Sequence, residues 1–223
     1  MIPVVRDLDL RLALSALIED KYRGQEHVLV PEVDISVTLP GRIDAILVAD
    51  RICGFEIKSD VDSLRRLPRQ VQIYGPALER ATLVVGDRYA QSVVDILPSW
   101  WAIWTVRQNR GGLRLVTRRR GRLNPDVQPY VVASFIPRDT LVSFLREQGF
   151  GRLSTLSVDD LRWLLVESNS KNAVLTLARS TMMSRRDWRC RAMSSVPQQC
   201  FDQRVPASGG LAGVPSWALT VAR

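Results

Sequence analysis

The sequence predicts a mixed α/β fold in which helices pack on a sheet, and three observations support this class. Apolar residues recur at helical spacing over residues 6–20. Three runs typical of strands follow, at residues 28–38, 42–49 and 51–58. Helical and strand patterns then alternate. Such an alternation is typical of a layered α/β domain.

The first strand run alternates apolar and polar residues from Glu32 onward, and the second and third flank Asp50 as a tight hairpin. The later elements are indicated by local signals, such as Pro68 in a first helical turn. In order, they are a helix over residues 68–79, a strand over 82–86, a helix over 88–97, and a hairpin of 101–106 and 113–117 that turns at Gly111-Gly112.

The pattern becomes helical from Ile136. Pro137 begins one helix, Ser157 and Asp160 resemble a capping box before the next, and Lys171 begins a third. Residues 194–216 are rich in Ser, Pro, Gln and Gly and predict a disordered tail. We therefore expect a main domain at residues 1–132, a helical appendage at 133–184 and a tail at 185–223.

Composition excludes several classes of protein. With 223 residues, of which 46% are hydrophobic, the chain can bury a core. Its three cysteines contain no CxxC pair, which argues against a disulfide scaffold or a zinc ribbon. A single histidine, His27, argues against a His-rich metal site. Without a signal pattern or a bilayer-length apolar stretch, the chain is expected to be cytoplasmic and not membrane-bound.

The distribution of lysine singles out one position. The formal charge is +8, but of the 31 basic residues only Lys21, Lys58 and Lys171 are lysines. Lys58 ends an otherwise apolar strand run, Phe55-Glu56-Ile57-Lys58. A lysine in such a segment indicates a specific role.

Hairpin geometry groups this lysine with two acids. Glu56 and Lys58 share one face of the strand because side chains alternate. If the hairpin is centred on Asp50, Asp44 lies opposite Glu56, with Cβ atoms about 5 Å apart. A two-residue turn would instead put Asp44 on the other face. The predicted site therefore depends on an odd-length loop.

This grouping suits phosphodiester hydrolysis. Two neighbouring carboxylates repel each other, and a divalent cation relieves the repulsion. Mg²⁺ is commonly held by one or two carboxylates, with water and phosphate oxygens completing its shell. A lysine on the same face can orient water or stabilise an anionic transition state.

These residues resemble the PD-(D/E)XK nuclease superfamily. Asp44 is separated by eleven residues from Glu56-Ile57-Lys58, and Gln70-x-x-x-Tyr74 resembles the QxxxY motif of its RecB-like branch. The box Glu56-Ile-Lys-Ser-Asp60 is similar to that of an uncharacterised bacterial and phage group. The resemblance covers residues 5–106. It implies a restriction-endonuclease-like core of helix, three-strand meander, helix and strand, followed by a small helical C-terminal appendage.

The resemblance implies a Mg²⁺-dependent deoxyribonuclease, with Mn²⁺ as a possible substitute. It assigns Asp44 and Glu56 as metal ligands and Lys58 as the catalytic lysine, with Gln70 and Tyr74 positioning the site. Glu19 is the candidate for a further acidic ligand from the first helix, and Glu32 is its rival. Ile43 precedes Asp44 where the family motif has proline. His27 lies near the position of a family histidine but lacks its motif.

An arginine-rich segment offers a second functional signal. Residues 107–122 hold seven Arg and no acidic residue, which suits either a DNA-contacting arm or a solvated hairpin. The candidate DNA contacts are Arg110, Arg114, Arg118, Arg119 and Arg120. Two alternatives to a nuclease remain, namely a catalytically inactive DNA-binding protein of the same fold and a protein-interaction module. A homodimer is possible.

Overall fold

The computed structural model describes residues 4–35, 40–109 and 112–185, and these residues form a mixed α/β protein around a six-stranded sheet. The strands lie in chain order, with β3, β4 and β5 parallel and the other neighbours antiparallel. Their bounds are β1 (Val28–Ile35), β2 (Gly41–Val48), β3 (Ile52–Lys58), β4 (Arg80–Val85), β5 (Ala102–Asn109) and β6 (Gly112–Arg119).

Helices cover both faces of this sheet. Their bounds are α1 (Asp7–Lys21), α2 (Leu67–Tyr74), α3 (Pro129–Val132), α4 (Arg138–Glu147), α5 (Val158–Ser168) and α6 (Lys171–Ser184). On one face α1 buries Leu10, Leu14 and Ile18 against the sheet. On the other face, α2 to α6 share one core with the opposite side of the sheet. The protein therefore has three layers.

The helix α6 also contacts the β2–β3 hairpin through the buried carboxylate of Glu79. Glu79 accepts a hydrogen bond from the backbone N–H of Ile52. It also forms an ion pair with Arg179 on α6, in which the nitrogen and oxygen atoms are 3.2 Å apart. The same guanidinium donates to the carbonyl of Asp50. The helical segment from residue 133 onward is therefore packed into the same core as the sheet.

The β2–β3 register agrees with the predicted hairpin. Val48 pairs with Ile52 and Ala45 with Phe55, so the hairpin is centred on Asp50 and its loop is odd. The ladder ends at the Ala45–Phe55 pair. Beyond this pair the two strands make no further backbone pairing, and Asp44 lies where the pairing stops.

A shared kink in β1 and β2 lies beside this point. Val30 and Val33 both point into the core that the sheet shares with α2 to α6. Residues three apart on a regular strand point to opposite faces, so β1 changes face between them. Glu32 lies at the change, with a left-handed φ of 51° that is uncommon for a non-glycine residue. The ladder pairs Pro31 with Ala45 and Val33 with Ile43, which places Asp44 at the matching position of β2.

Two predicted elements need correction. The predicted helix over residues 88–97 is wrong, because this segment forms a 3-10 turn, Asp87–Tyr89, followed by further turns. The helix predicted over residues 68–79 ends at Tyr74, because the ring and missing N–H of Pro76 oppose continuation, and Gly75–Ala77 form a 3-10 turn. The short helix α3 was not predicted. Residues 110–111 and 186–223, which include the Gly111 turn and most of the predicted tail, lie outside the described residues.

No helix in the described part of the chain is both long and apolar enough to cross a membrane.

Candidate active site

An acid and a lysine share one buried face of β3. Every residue of this strand is buried, and the exposed fractions of Glu56 and Lys58 are 0% and 5%. The Lys58 Nζ donates to Oε1 of Glu56 at 2.6 Å. Removing two charges from water is expensive even when they pair. This pair is therefore costly for the fold, which is typical of functional groups.

The helix α2 adds two polar side chains to this pair. Gln70 and Tyr74, one helical turn apart, both face β3. The Gln70 Nε2 donates to Oε1 of Glu56 at 2.5 Å and lies 3.3 Å from the Tyr74 hydroxyl. That hydroxyl donates to the backbone carbonyl of Arg42. The structure thus brings Gln70 to Glu56, places the Tyr74 hydroxyl beside Gln70, and ties α2 to β2.

Asp44 reaches the same region from β2. Its Oδ2 accepts a hydrogen bond of 2.7 Å from the backbone N–H of Ile57, where a ladder bond would otherwise lie. Its Oδ1 accepts from Nη2 of Arg11 at 3.2 Å, and Arg11 also binds Asp7 at 2.6 Å. The carboxylate therefore lies between β3 and α1, at the point where β2 and β3 diverge.

The two carboxylates influence each other's protonation. Burial raises the pKa of Glu56 to about 7, and the nearby Asp44 charge adds to the rise, while Lys58 and Gln70 oppose it. Burial also raises the pKa of Asp44, against the lowering effect of the Ile57 hydrogen bond and of Arg11. A further positive charge between them would stabilise both ionised forms.

Two buried oxygen atoms in the cluster have no hydrogen-bond partner among the residues that the structure describes. They are Oε2 of Glu56 and Oε1 of Gln70. Buried polar atoms are normally satisfied, and an exception calls for an explanation such as an ion or water. Within residues 4–35, 40–109 and 112–185, however, no three His, Cys, Asp or Glu side chains gather into a group that could hold a metal. Any metal here would rest on two carboxylates.

The two candidates for a third acidic ligand occupy different places. Glu19 is exposed and lies eight residues along α1 from Arg11, about 12 Å at the helical rise. Glu32 lies at the β1 kink next to Asp44 and forms an ion pair with Arg42 at 3.7 Å. The structure therefore brings Glu32, and not Glu19, to the neighbourhood of Asp44. His27 lies at the far end of β1 and packs on Tyr22.

The candidate arginines fall into two groups. Arg114 pairs with Arg107 near the end of β5, whereas Arg118 lies at a register shift near the start of β5, where its side chain binds Thr105 and forms an ion pair with Asp87 at 2.5 Å. Arg119 and Arg120 follow it, and Arg119 pairs with Ile103. The Arg119 guanidinium donates to backbone carbonyls of four residues, Val94, Leu97, Pro98 and Trp101. Arg110 lies outside the described residues.

Arg11 and Asp7 lie at the site but were not predicted from the sequence. Their i, i+4 spacing on a helix is a recognisable ion-pair signal, but nothing local indicates that Arg11 also reaches Asp44, 33 residues away. The end of the EIKSD box is structural. Asp60 accepts from the backbone N–H of Val5 at 3.0 Å and packs so tightly on Gly86 that a Cβ there would overlap its carboxylate.

Together these features describe a mixed α/β protein with a buried carboxylate–lysine–glutamine cluster near the carboxyl end of β3. Residues 12–194 match the family model of Bacteriophage P4 protein cII, and the chain belongs to this family. Protein cII of Enterobacteria phage P4 is 24% identical over 164 residues, which cover 74% of this chain. The match covers 62% of the relative, so the chain spans less than two thirds of its length.

One solved structure is also similar. It is the SPO1766 protein of unknown function from Silicibacter pomeroyi, with 14% sequence identity and a TM-score of 0.42. The similarity covers 68% of this chain and 94% of that protein.

Proposed function

We propose that this protein is a metal-dependent nuclease that hydrolyses DNA phosphodiester bonds on a PD-(D/E)XK-like core. The observation that carries the proposal is the environment of Glu56. Its Oε1 accepts from both Lys58 and Gln70, whereas its buried Oε2 has no partner and the Asp44 charge lies nearby. A purely structural ion pair has no need of this arrangement.

The order of elements supports the finer fold assignment. A helix precedes a three-strand antiparallel meander, and α2 then leads to β4, which is parallel to β3. The acidic and basic residues occupy the second and third strands of the meander, and the Gln/Tyr pair lies on the crossover helix. This is the arrangement that the motif resemblance implies.

The residues fit a divalent cation bound by two carboxylates. Asp44 and the free Oε2 of Glu56 supply oxygen donors, which Mg²⁺ and Mn²⁺ accept, and the raised pKa values of both carboxylates fall when a cation lies between them. When bound, the metal would provide Lewis-acid assistance and neutralise charge on a phosphate. Water and phosphate oxygens would complete the coordination shell.

Each side chain of the cluster would then have a separate role in the reaction. Glu56 and Asp44 hold the negative charge that selects the cation. The Lys58 ammonium, already directed by Glu56, orients the attacking water or donates to the phosphate oxygens as their charge grows. Gln70 holds Glu56 in position by a hydrogen bond. Tyr74, whose hydroxyl is anchored on the Arg42 carbonyl, lies beside Gln70 and holds it in place.

DNA would approach the carboxyl edge of the parallel strands. Lys58, Val85 and Thr105 share one level of the sheet in neighbouring strands, so Thr105 on β5 lies about 10 Å from Lys58. Arg107 and Arg114 pair with each other just beyond this level. Basic side chains at that edge can contact phosphates on either side of the scissile bond.

One observation favours the second candidate, an inactive DNA-binding protein of the same fold. The Arg11 guanidinium already holds Asp44, and it would compete with a metal for that carboxylate. If Arg11 keeps this position, the fold still presents its basic edge to DNA but does not cleave it. Salt-dependent binding without hydrolysis would identify this case.

The test is a nuclease assay on linear, nicked and branched DNA in Mg²⁺ and in Mn²⁺. We expect Lys58→Ala to lower the cleavage rate at least about a hundredfold, because it removes transition-state charge stabilisation. Lys171→Ala, which changes an exposed lysine on α6, serves as the matched control. Equal cleavage by wild type and Lys58→Ala, or undiminished cleavage in excess chelator, would refute the proposal.

A further inference from the structure

A cavity of about 320 Å³ lies on the α1 side of the sheet, on the face opposite to Glu56 and Lys58. It opens at the amino-terminal ends of β3 and β4, beyond the last turn of α1. Its floor is apolar and includes Ile18, Leu47, Phe55 and Trp104. The Phe55 and Trp104 rings are tilted at 52° with centroids 5.8 Å apart. This floor offers a surface for an apolar or aromatic group.

The rim of the cavity is basic. Lys21, Arg80 and Arg120 line it, and no Asp or Glu is among its lining residues. The Arg80 Nε is buried and has no hydrogen-bond partner within the described parts of the chain. Burial lowers the pKa of Lys21, and the charge of Arg80 lowers it further, with Cys53 and Asp50 opposing. The charge of Arg80 therefore disfavours the charged form of Lys21 in a partly desolvated space.

We propose that this cavity binds a small amphipathic anion, with an aromatic or branched apolar body and a single carboxylate, sulfonate or phosphate group. The apolar body would lie on Phe55 and Trp104. The anionic group would accept hydrogen bonds from Arg80 and Lys21, and would satisfy the unpaired Nε of Arg80. A volume of about 320 Å³ is at the small end of ligand pockets, which suits a ligand of this size.

Binding in this cavity is non-covalent. Cys53 is among the lining residues, but burial raises the pKa of its thiol to about 12. At neutral pH the sulfur is protonated and therefore a poor nucleophile. The site also lies apart from the proposed nuclease cluster, since β3 directs Cys53 and Phe55 to one face and Glu56 and Lys58 to the other.

The experiment titrates the full chain with 8-anilinonaphthalene-1-sulfonate, which joins an aromatic body to one sulfonate, and follows its fluorescence. N-phenyl-1-naphthylamine, which has the same aromatic framework without the charge, is the matched probe. We expect one sulfonate probe per chain, bound about tenfold more tightly than the neutral probe. Equal affinity for the two probes, or many equivalent sulfonate sites, would overturn the proposal.

Variants locate the site. Arg80→Gln and Lys21→Gln should each weaken the sulfonate probe about tenfold, because each removes a charge-assisted hydrogen bond. The control is Arg23→Gln, which changes an exposed side chain just beyond α1. If circular dichroism shows that Arg80→Gln does not fold, Lys21→Gln provides the test. Lys21 is the last residue of α1, where a substitution is expected to disturb the fold little. Unchanged affinity in the folded variants would contradict the proposal.

Discussion

Glu56 is the residue on which the account depends. It is fully buried and accepts hydrogen bonds from Lys58 and Gln70. Its pKa is raised because burial and the nearby Asp44 charge both disfavour the ionised carboxylate. Functional sites often hold charged groups in such unfavourable surroundings. The effect should be visible in stability without any substrate.

Glu56 should make stability depend on pH. Its pKa is about 7 in the folded protein but close to 4.5 when unfolded, so the unfolded chain releases this proton first. The contribution is therefore favourable below about pH 4.5 and is lost as pH rises towards 7 and above. In chelator, wild type should therefore lose about 1–3 kcal/mol more free energy of unfolding between pH 5 and pH 8 than Glu56→Gln, which cannot ionise at this position.

Urea unfolding at pH 5 and pH 8 measures this difference. Glu19→Gln is the matched control, because Glu19 is exposed on α1 and should leave the pH dependence unchanged. The account of Glu56 fails if wild type and Glu56→Gln lose stability equally between the two pH values.

Arg11 should control access of a cation to Asp44. Its guanidinium binds Asp44 Oδ1 at 3.2 Å and so competes with a metal. We expect Arg11→Gln to bind Mn²⁺ several-fold more tightly than wild type, as measured by titration calorimetry. Arg23→Gln is the control, since it removes a comparable ion pair with Asp20 away from the site. Unchanged Mn²⁺ affinity in Arg11→Gln would show that Asp44 is not a ligand.

At the scale of elements, two features assemble the site. The divergence of β2 from β3 after the Ala45–Phe55 pair places the Asp44 carboxylate at the Ile57 backbone. The helix α2 then crosses this gap. Its hydrogen bond from Tyr74 to the Arg42 carbonyl fixes the helix on β2.

The anchoring role of α2 can be tested at Tyr74. Tyr74→Phe keeps the ring but removes a buried hydroxyl that donates to the Arg42 carbonyl. We expect a loss of about 1–2 kcal/mol in the free energy of unfolding and a lower cleavage rate, because Gln70 loses its neighbour. Tyr130→Phe, on α3, is the comparison. Similar effects of both changes would show that Tyr74 does not position the site.

The sequence was informative where local patterns determine the structure. Alternation and the turn at Asp50 correctly predicted the centre of the β2–β3 hairpin, but the pairing ends at Ala45 and Phe55, so the predicted direct pairing of Asp44 with Glu56 is absent from the ladder. Local patterns could not predict contacts between residues that are far apart in the sequence. Residues 94–98 form turns whose carbonyls bind the Arg119 guanidinium, more than 20 residues away. The kink at Glu32 and the Arg11–Asp44 contact likewise depend on tertiary packing.

At the scale of the whole molecule, the helices that follow the sheet share its core. Leu141, Leu165 and Met182 belong to the same buried cluster as Ile46 and Leu83. The boundary predicted at residue 132 therefore does not separate two cores. We expect a single cooperative transition in calorimetry. Two separate transitions would contradict a shared core.

The contact between α6 and the β2–β3 hairpin should contribute to this cooperativity. Arg179→Ala leaves the buried Glu79 without its 3.2 Å partner, and we expect a loss of about 2–4 kcal/mol in the free energy of unfolding. Arg146→Ala, an exposed change on α4, should have an effect below about 0.5 kcal/mol. Chemical denaturation measures both. Equal small losses would show that α6 contributes little through Glu79.

The central claim is most directly tested by comparing DNA binding and DNA hydrolysis in wild type and Glu56→Gln. Binding of a labelled linear duplex is measured in chelator, and its hydrolysis is measured after Mg²⁺ or Mn²⁺ is added. The account predicts that both proteins bind with similar affinity, that only the wild type cleaves, and that chelator stops the reaction. Binding without cleavage by the wild type in either metal, or cleavage by Glu56→Gln at the wild-type rate, would contradict it.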